Sequence, residues 1–146
     1  MAVLADIVIV SGSVELPARL LDTPTARVIA SALPLYLTAI FWGRLVQLDT
    51  PLDAYREPGA VPLAKLGQIL WAPDAESILI PYGLTPLSRG DEIRLPEPSN
   101  VWAEALEDVQ RLRAVHDGAM VTIARLGMAQ AQVAGHKGKP RGRWRG

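Results

Sequence analysis

The amino-acid sequence predicts a mainly β domain of short apolar strands with one or two short helices. Three observations carry that prediction. Several short runs are rich in Val, Ile and Leu; glycine and proline, 12 of each in 146 residues, punctuate them; and a full helix-start signal occurs in one short stretch near the N-terminus.

Val3 to Val10 are almost continuously apolar, Ser11-Gly12-Ser13 turns the chain, and Val14, Leu16, Ala18 and Leu20 then alternate with Glu15, Pro17 and Arg19. This is a β-hairpin pattern, in which Pro17 asks for an edge or a bulge because it has no N–H for a ladder. Thr23 is placed to cap a helix, Pro24 fits its first turn and Pro34 stops it. Val28, Ile29, Ala32 and Leu33 share one face of that helix and are expected to pack on the sheet. Leu35 to Trp42 and Leu45 to Leu48 return to strand on either side of Gly43. Asp49 to Gly67 contains Pro51, Pro58, Gly59 and Pro62 and reads as a long loop. Gln68–Trp71 and Ser77–Ile80 are two more strands, Tyr82 to Glu92 is a second loop, and Ala119 to Leu126 is a closing strand. Val101 to His116 carries two patterns. Trp102, Leu106, Val109 and Leu112 match a helix, which propensity favours, whereas Val101, Ala103 and Ala105 match a strand.

Composition narrows the chemistry. With 49% apolar residues and 15 basic against 15 acidic, the chain reads as one globular domain and excludes a two-domain enzyme. It has no cysteine, hence no disulfide framework, zinc ribbon or cysteine nucleophile, and its two histidines, His116 and His136, are too few for a His-rich metal site. No metal or cofactor is expected. The longest uncharged stretch, Val28 to Gly43, contains Pro34 and is shorter than the roughly 20 apolar residues a spanning helix needs. The N-terminus has no basic region before its apolar run and carries Asp6, so no signal peptide is read and a cytoplasmic, non-membrane protein is expected. Five of the basic residues, Lys137, Lys139, Arg141, Arg143 and Arg145, fall in the last ten positions, leaving a body with 10 basic and 15 acidic residues. The domain is therefore expected over residues 1–128 and a basic, disordered tail over 129–146. Trp144 among arginines and glycines suits phosphates or single-stranded bases. The acidic body would repel the same polyanion, so nucleic acid ranks last among the partners.

Several fragments recur in a recognisable order: Leu33-Pro34, Trp42-Gly43, Gly67 followed by Trp71-Ala72-Pro73, Gly83-Leu84-Thr85-Pro86 with Ser88 and Gly90-Asp91-Glu92-Ile93, Asn100-Val101, and His116-Asp117-Gly118. In this order the chain resembles the small prokaryotic cyclophilin-like domain family over roughly Ile7 to Leu126. The resemblance implies a closed, mostly antiparallel β-barrel with one or two short helices over its ends. It also implies that Val101 to about Leu106 is strand and Asp108 to about Val115 a short helix. The sequence departs from the family where Ile40, Arg44 and Leu45 replace an Asn and acidic residues around Trp42-Gly43, and where Gln68 follows Gly67. A ligand known for relatives therefore transfers poorly.

Cyclophilins proper are understood to lower the amide rotation barrier with an arginine above an apolar proline pocket, read from a Phe-His-Arg motif that is absent here. Arg44, next to the Trp42-Gly43 turn, is the nearest substitute the sequence offers and Arg89 the other, although for both a solvated surface arginine is the preferred reading. Phe41, Trp42, Trp71 and Tyr82 sit at strand ends beside glycine or proline and could wall an apolar groove; for Trp71, core packing is preferred. Trp42 and Tyr82 each precede a glycine, which admits either a ligand or neighbouring backbone. Adjacent Asp91 and Glu92 make a poor acid/base pair and suit capping of the loop's own amides, helped by Thr85 and Ser88. His116 reads as a surface turn residue. No P-loop, nucleophile elbow or metal-ligand spacing is found.

Three functions follow. The first is a binding domain holding a small, largely apolar molecule or short peptide between the Trp42 turn and the 82–92 loop, using Phe41, Trp42, Tyr82, Thr85 and Arg89. The second is a small pathway enzyme, an isomerase or cyclase, with Arg44, Tyr82 or Asp91 as catalytic candidates. The third, disfavoured, is a peptidyl-prolyl isomerase. The sequence leaves the oligomeric state open.

Overall fold

A computed structural model describes residues 3–126 of the chain. The expected tail, with Trp144 and its phosphate-binding reading, lies outside the described residues. The elements in chain order are β1 (Val3–Ser11), β2 (Val14–Leu21), α1 (Pro24–Ala32), β3 (Leu35–Phe41), β4 (Leu45–Asp49), β5 (Val61–Ala64), β6 (Gln68–Ala72), β7 (Ser77–Pro81), β8 (Ile93–Ala105), the 3-10 helix η1 (Val109–Ala114) and β9 (Met120–Arg125). Every strand pairing is antiparallel, in the order β2-β1-β9-β3-β4-β7-β6-β8-β5. A further ladder, Ala18↔Ala105 to Leu20↔Ala103, joins β2 to β8 and closes the sheet into a ring. Closure removes the free edges of those strands.

The hairpin forms as its alternation demands. Leu16, Ala18 and Leu20 are buried while Glu15 and Arg19 are exposed. Pro17 pairs with Val8 on one side, and on the other its carbonyl accepts from Leu106 N, just past the end of the β2–β8 ladder. In an antiparallel strand a residue's N–H and C=O point to the same side, so the missing N–H falls where β8 has run out. Thr23 caps α1, its hydroxyl accepting from Ala26 N at 3.0 Å, with Pro24 at the first position. The buried face of α1 is Thr25, Ala26 and Ile29, whereas Val28, expected on that face, is 36% exposed. The helix is rotated because the Glu57 carboxylate accepts from both the amide and the hydroxyl of Thr25.

Two cores result. Ile9, Leu16, Leu37, Val46, Ile69, Trp71, Ile78, Ile80, Trp102 and Ile123 fill the barrel, closed by Ile29 of α1 at one end and by Val109, Leu112 and Val115 at the other. A second core lies outside the ring, where Leu45, Leu70, Ala72 and Leu79 meet Ala64 of β5 and Ile93 and Leu95 of β8. The stretch expected to be a loop, 49–67, therefore contains a strand. β5 pairs with the first part of β8, which itself starts well before Val101. Pro96 and Pro98 sit in the register shift between Leu63↔Arg94 and Val61↔Ser99, where no ladder N–H is required. This outer layer explains the continuous apolar runs of β6 and β7, both faces of which are buried.

The ambiguous segment divides into strand and 3-10 helix. A register shift between Ile69↔Ala103 and Leu70↔Val101 leaves Trp102 without a partner residue, and both Trp102 and Ala103 enter the barrel core. A bulge breaks the period of two and so imitates a helical spacing. Trp71 and Trp102 are fully buried, and their indole N–H groups donate to Ala54 O at 2.9 Å and Leu70 O at 3.0 Å. The outer core should carry as much stability as the inner one. Leu79→Ala is expected to cost about 2–5 kcal/mol in denaturant unfolding. A cost under about 1 kcal/mol would mean the β5–β8 layer only drapes the barrel.

Candidate functional site

The barrel end opposite α1 gathers the turn at Gly12, the turn at Gly43, the 82–92 loop, η1 and the 116–118 connection. Phe41 and Tyr82, predicted as binding residues, meet there in an edge-on pair with ring centroids 6.2 Å apart, both packed against the barrel core. Trp42, one residue on, turns the other way and packs on the outer core. Successive side chains of a strand point to opposite faces, so adjacent aromatics serve different cores.

The turn and the loop are joined directly. Tyr82 N donates to Arg44 O and Arg44 N to Leu84 O, each at 2.8 Å. Gly43 has φ +61°, and a Cβ there would lie 2.8 Å from Pro86 Cδ and 2.9 Å from Leu84 O. A Cβ on Gly83 would lie 2.6 Å from Arg44 Cδ. The two glycines flagged by the sequence thus admit neighbouring chain, and the space directly between turn and loop is filled by protein.

Within the loop, Thr85 is buried and works as a staple. Its hydroxyl donates to Arg94 O at 2.5 Å, and its amide donates to Ser88 Oγ at 3.0 Å. Glu92 accepts from Arg89 N at 3.2 Å and from Arg94 Nε at 2.7 Å and Nη2 at 3.2 Å. The Arg94 hydrogen bond is the main reason its carboxyl is held below the usual carboxylate range. Asp91 and the Arg89 side chain remain exposed. The capping role expected of the acidic pair falls to Glu92. The loop presents Leu84, 47% exposed, and Leu87, 49% exposed. Of the catalytic candidates, Arg44 and Tyr82 are coupled through backbone, whereas Asp91 lies in the exposed turn after Gly90.

Sequence reasoning missed a polar cluster at the other end. Asn100, 1% exposed, donates from Nδ2 to Thr25 Oγ1 at 2.9 Å and Tyr55 O at 2.8 Å, and accepts from Glu57 N at 2.8 Å. With Glu57 on Thr25, it pins the long 50–60 loop to α1 and β8. Nothing local marks Glu57, which lies 43 residues from Asn100 in the chain. Among the described residues no group of three or more His, Cys, Asp or Glu is placed to hold a metal, and no helix is long and apolar enough to cross a membrane.

The family model described as Cyclophilin-like matches residues 5–124. The chain belongs to the cyclophilin-like family. The fold of this cyclophilin-like chain is similar to the solution structure of the hypothetical protein AF2241 from Archaeoglobus fulgidus, with TM-score 0.72, 27% identity and coverage of 83% of this chain and 94% of that one. It is also similar to McbB, solved in complex with tryptophan, with TM-score 0.59 and 14% identity, a likeness of fold alone. That match covers 83% of this chain and 45% of McbB. No protein of curated function matches.

Two measurements test the turn and loop. Gly43→Ala should cost about 1–3 kcal/mol in denaturant unfolding, through left-handed backbone strain and contact with Leu84 and Pro86. Gly12→Ala, at φ +59° with open space around it, carries the strain alone and should cost less. Equal costs would show that the close approach contributes nothing. Glu92 has a depressed folded-state pKa, so its contribution is complete above the ordinary carboxylate range and is lost as pH falls through that depressed value. Protection of the amides over residues 85–94, measured as exchange relative to the intrinsic rate at each pH, should therefore fall in acid, and Glu92→Gln should remove that fall. Unchanged acid sensitivity in the variant would assign it to another group.

Proposed function

We infer that this cyclophilin-like domain is a binding module for a small, largely apolar molecule or a short peptide, taken on the surface of the Trp42 turn and the 82–92 loop. One observation carries the reading. The loop is held by its own side chains and by two backbone bonds to Arg44, yet it turns Leu84 and Leu87 to solvent beside the exposed Arg44. A rigid apolar surface loses little freedom on binding, and arginine and aromatic residues recur where binding energy concentrates. The groove first expected between turn and loop is filled by the loop, so the ligand lies across this surface. Phe41, Tyr82 and Thr85 support it from below, and Trp42 borders it.

Binding is favoured over chemistry because the bond that joins Arg44 and Tyr82 runs through backbone atoms and Asp91 lies in the exposed turn after Gly90. The absent Phe-His-Arg motif and the seating of the Arg44 stem against Gly83 argue against prolyl isomerisation.

Native mass spectrometry of the purified chain should reveal a retained small molecule or peptide. Leu87→Ser and Arg44→Ala should each reduce its occupancy without lowering Tm. A short X-Pro peptide should keep its uncatalysed exchange time of roughly tens to hundreds of seconds in the presence of the protein. Acceleration that disappears in Arg44→Ala would replace the binding reading with isomerase activity. A retained molecule insensitive to both variants would move the site elsewhere.

A further inference from the structure

A different feature of the same barrel end points to a second binding site. An open groove of about 370 Å³ runs between the β1–β2 turn and the η1–β9 connection, lined by Ser11 to Val14 and by Ala114, Val115, His116, Ala119 and Met120. That size lies within the roughly 300–1,000 Å³ of small-molecule sites. Directly inside it is a void of about 10 Å³, bounded by Ile9, Val46, Ile80, Leu112 and Val121. Ser11, Val14 and Val115 belong to both. The wall between groove and void is therefore three small side chains.

Void and wall have an apolar character. The one hydroxyl in the wall, that of Ser11, is already committed to Met120 O at 2.8 Å. A void of this size is about the least that holds one water, and lined by aliphatic groups it offers that water too few partners. An apolar group entering from the groove would replace lost contacts without displacing a bound water.

The rim has a different character. Of the charged groups beside the groove, Arg111 is engaged by Glu107 and by Glu15 O, Asp117 accepts from Phe41 N, and Asp108 caps η1. The Glu15 side chain leaves β2 on the face opposite Val14. Among the described residues, the His116 imidazole, the Arg113 guanidinium next in the chain to the lining residue Ala114, and the Ser13 hydroxyl have no partner. All three can donate a hydrogen bond and two are basic.

We propose that this groove binds a small aliphatic or aromatic carboxylate, its apolar body over Val14 and Val115 and its carboxylate on the Ser13–His116 rim. The site is separate from the 82–92 surface and does not rest on ligand binding there.

The test is a ¹⁵N–¹H titration of the full chain with sodium hexanoate and, separately, with 1-hexanol. Hexanoate in the millimolar range should move the amides of Gly12, Ser13, Val115 and His116. His116→Ala should weaken hexanoate about fivefold and leave hexanol unchanged, the size of one exposed charge-assisted contact. Val115→Ala, which joins groove and void, should tighten both probes; Val14→Ala makes the same opening if the first variant does not fold. Shifts confined to residues 82–92, or no shifts at all, overturn the site. Equal weakening of both probes by His116→Ala, or of neither, overturns the carboxylate.

Discussion

One strand has to belong to two layers at once, and the rest of the domain depends on it. β8 is 13 residues long. Its first part pairs with β5 and lies over the outside of the barrel; its last part pairs with β6 on one side and β2 on the other and closes the ring. A regular strand of that length could not leave one layer and enter another. The register shifts, one holding Pro96 and Pro98 and one holding Trp102, let it do so. Closure and the second core are thus two consequences of the same irregular strand.

The double burial also sets how polar groups are handled. A loop crossing a closed barrel end must give its backbone groups partners, since unpaired buried ones are costly. Asn100 does this for the long 50–60 loop, using both ends of its amide, and Glu57 extends the same cluster onto the start of α1. At the opposite end the 82–92 loop does it with its own hydroxyls and the Glu92–Arg94 pair. Both connections are long and rich in proline and glycine, yet both are tied to the barrel. In the 82–92 loop, that restraint holds an exposed leucine pair, Leu84 and Leu87.

Much of the fold was legible along the chain, because alternation, capping and turn chemistry are local. The β1–β2 hairpin, the Thr23 cap, the strands around Gly43 and the buried indole of Trp71 follow from residues within a few positions of one another. Residues whose partners are distant were not legible. β5 is a short strand containing Pro62 and gains its identity from β8. Val28 looked buried and Thr25 did not, because the orientation of α1 is set by Glu57, 32 residues away from Thr25. The candidate site shows the same division. Phe41, Tyr82 and Thr85 could be named from the sequence, but which core each serves could not.

By itself the sequence determined the β character, most of the strands, the helix start and, through its ordered Trp-Gly, Gly-Leu-Thr-Pro and Gly-Asp-Glu-Ile fragments, membership of the cyclophilin-like family. The tertiary structure alone decided that Gly43 and Gly83 make room for neighbouring chain, that Trp42 faces away from Phe41's core, and that His116 and Ser13 border one groove. The reason is physical. Backbone conformation is biased by nearest neighbours, whereas what a side chain touches is set by ladders and loop anchors that join residues far apart in the chain.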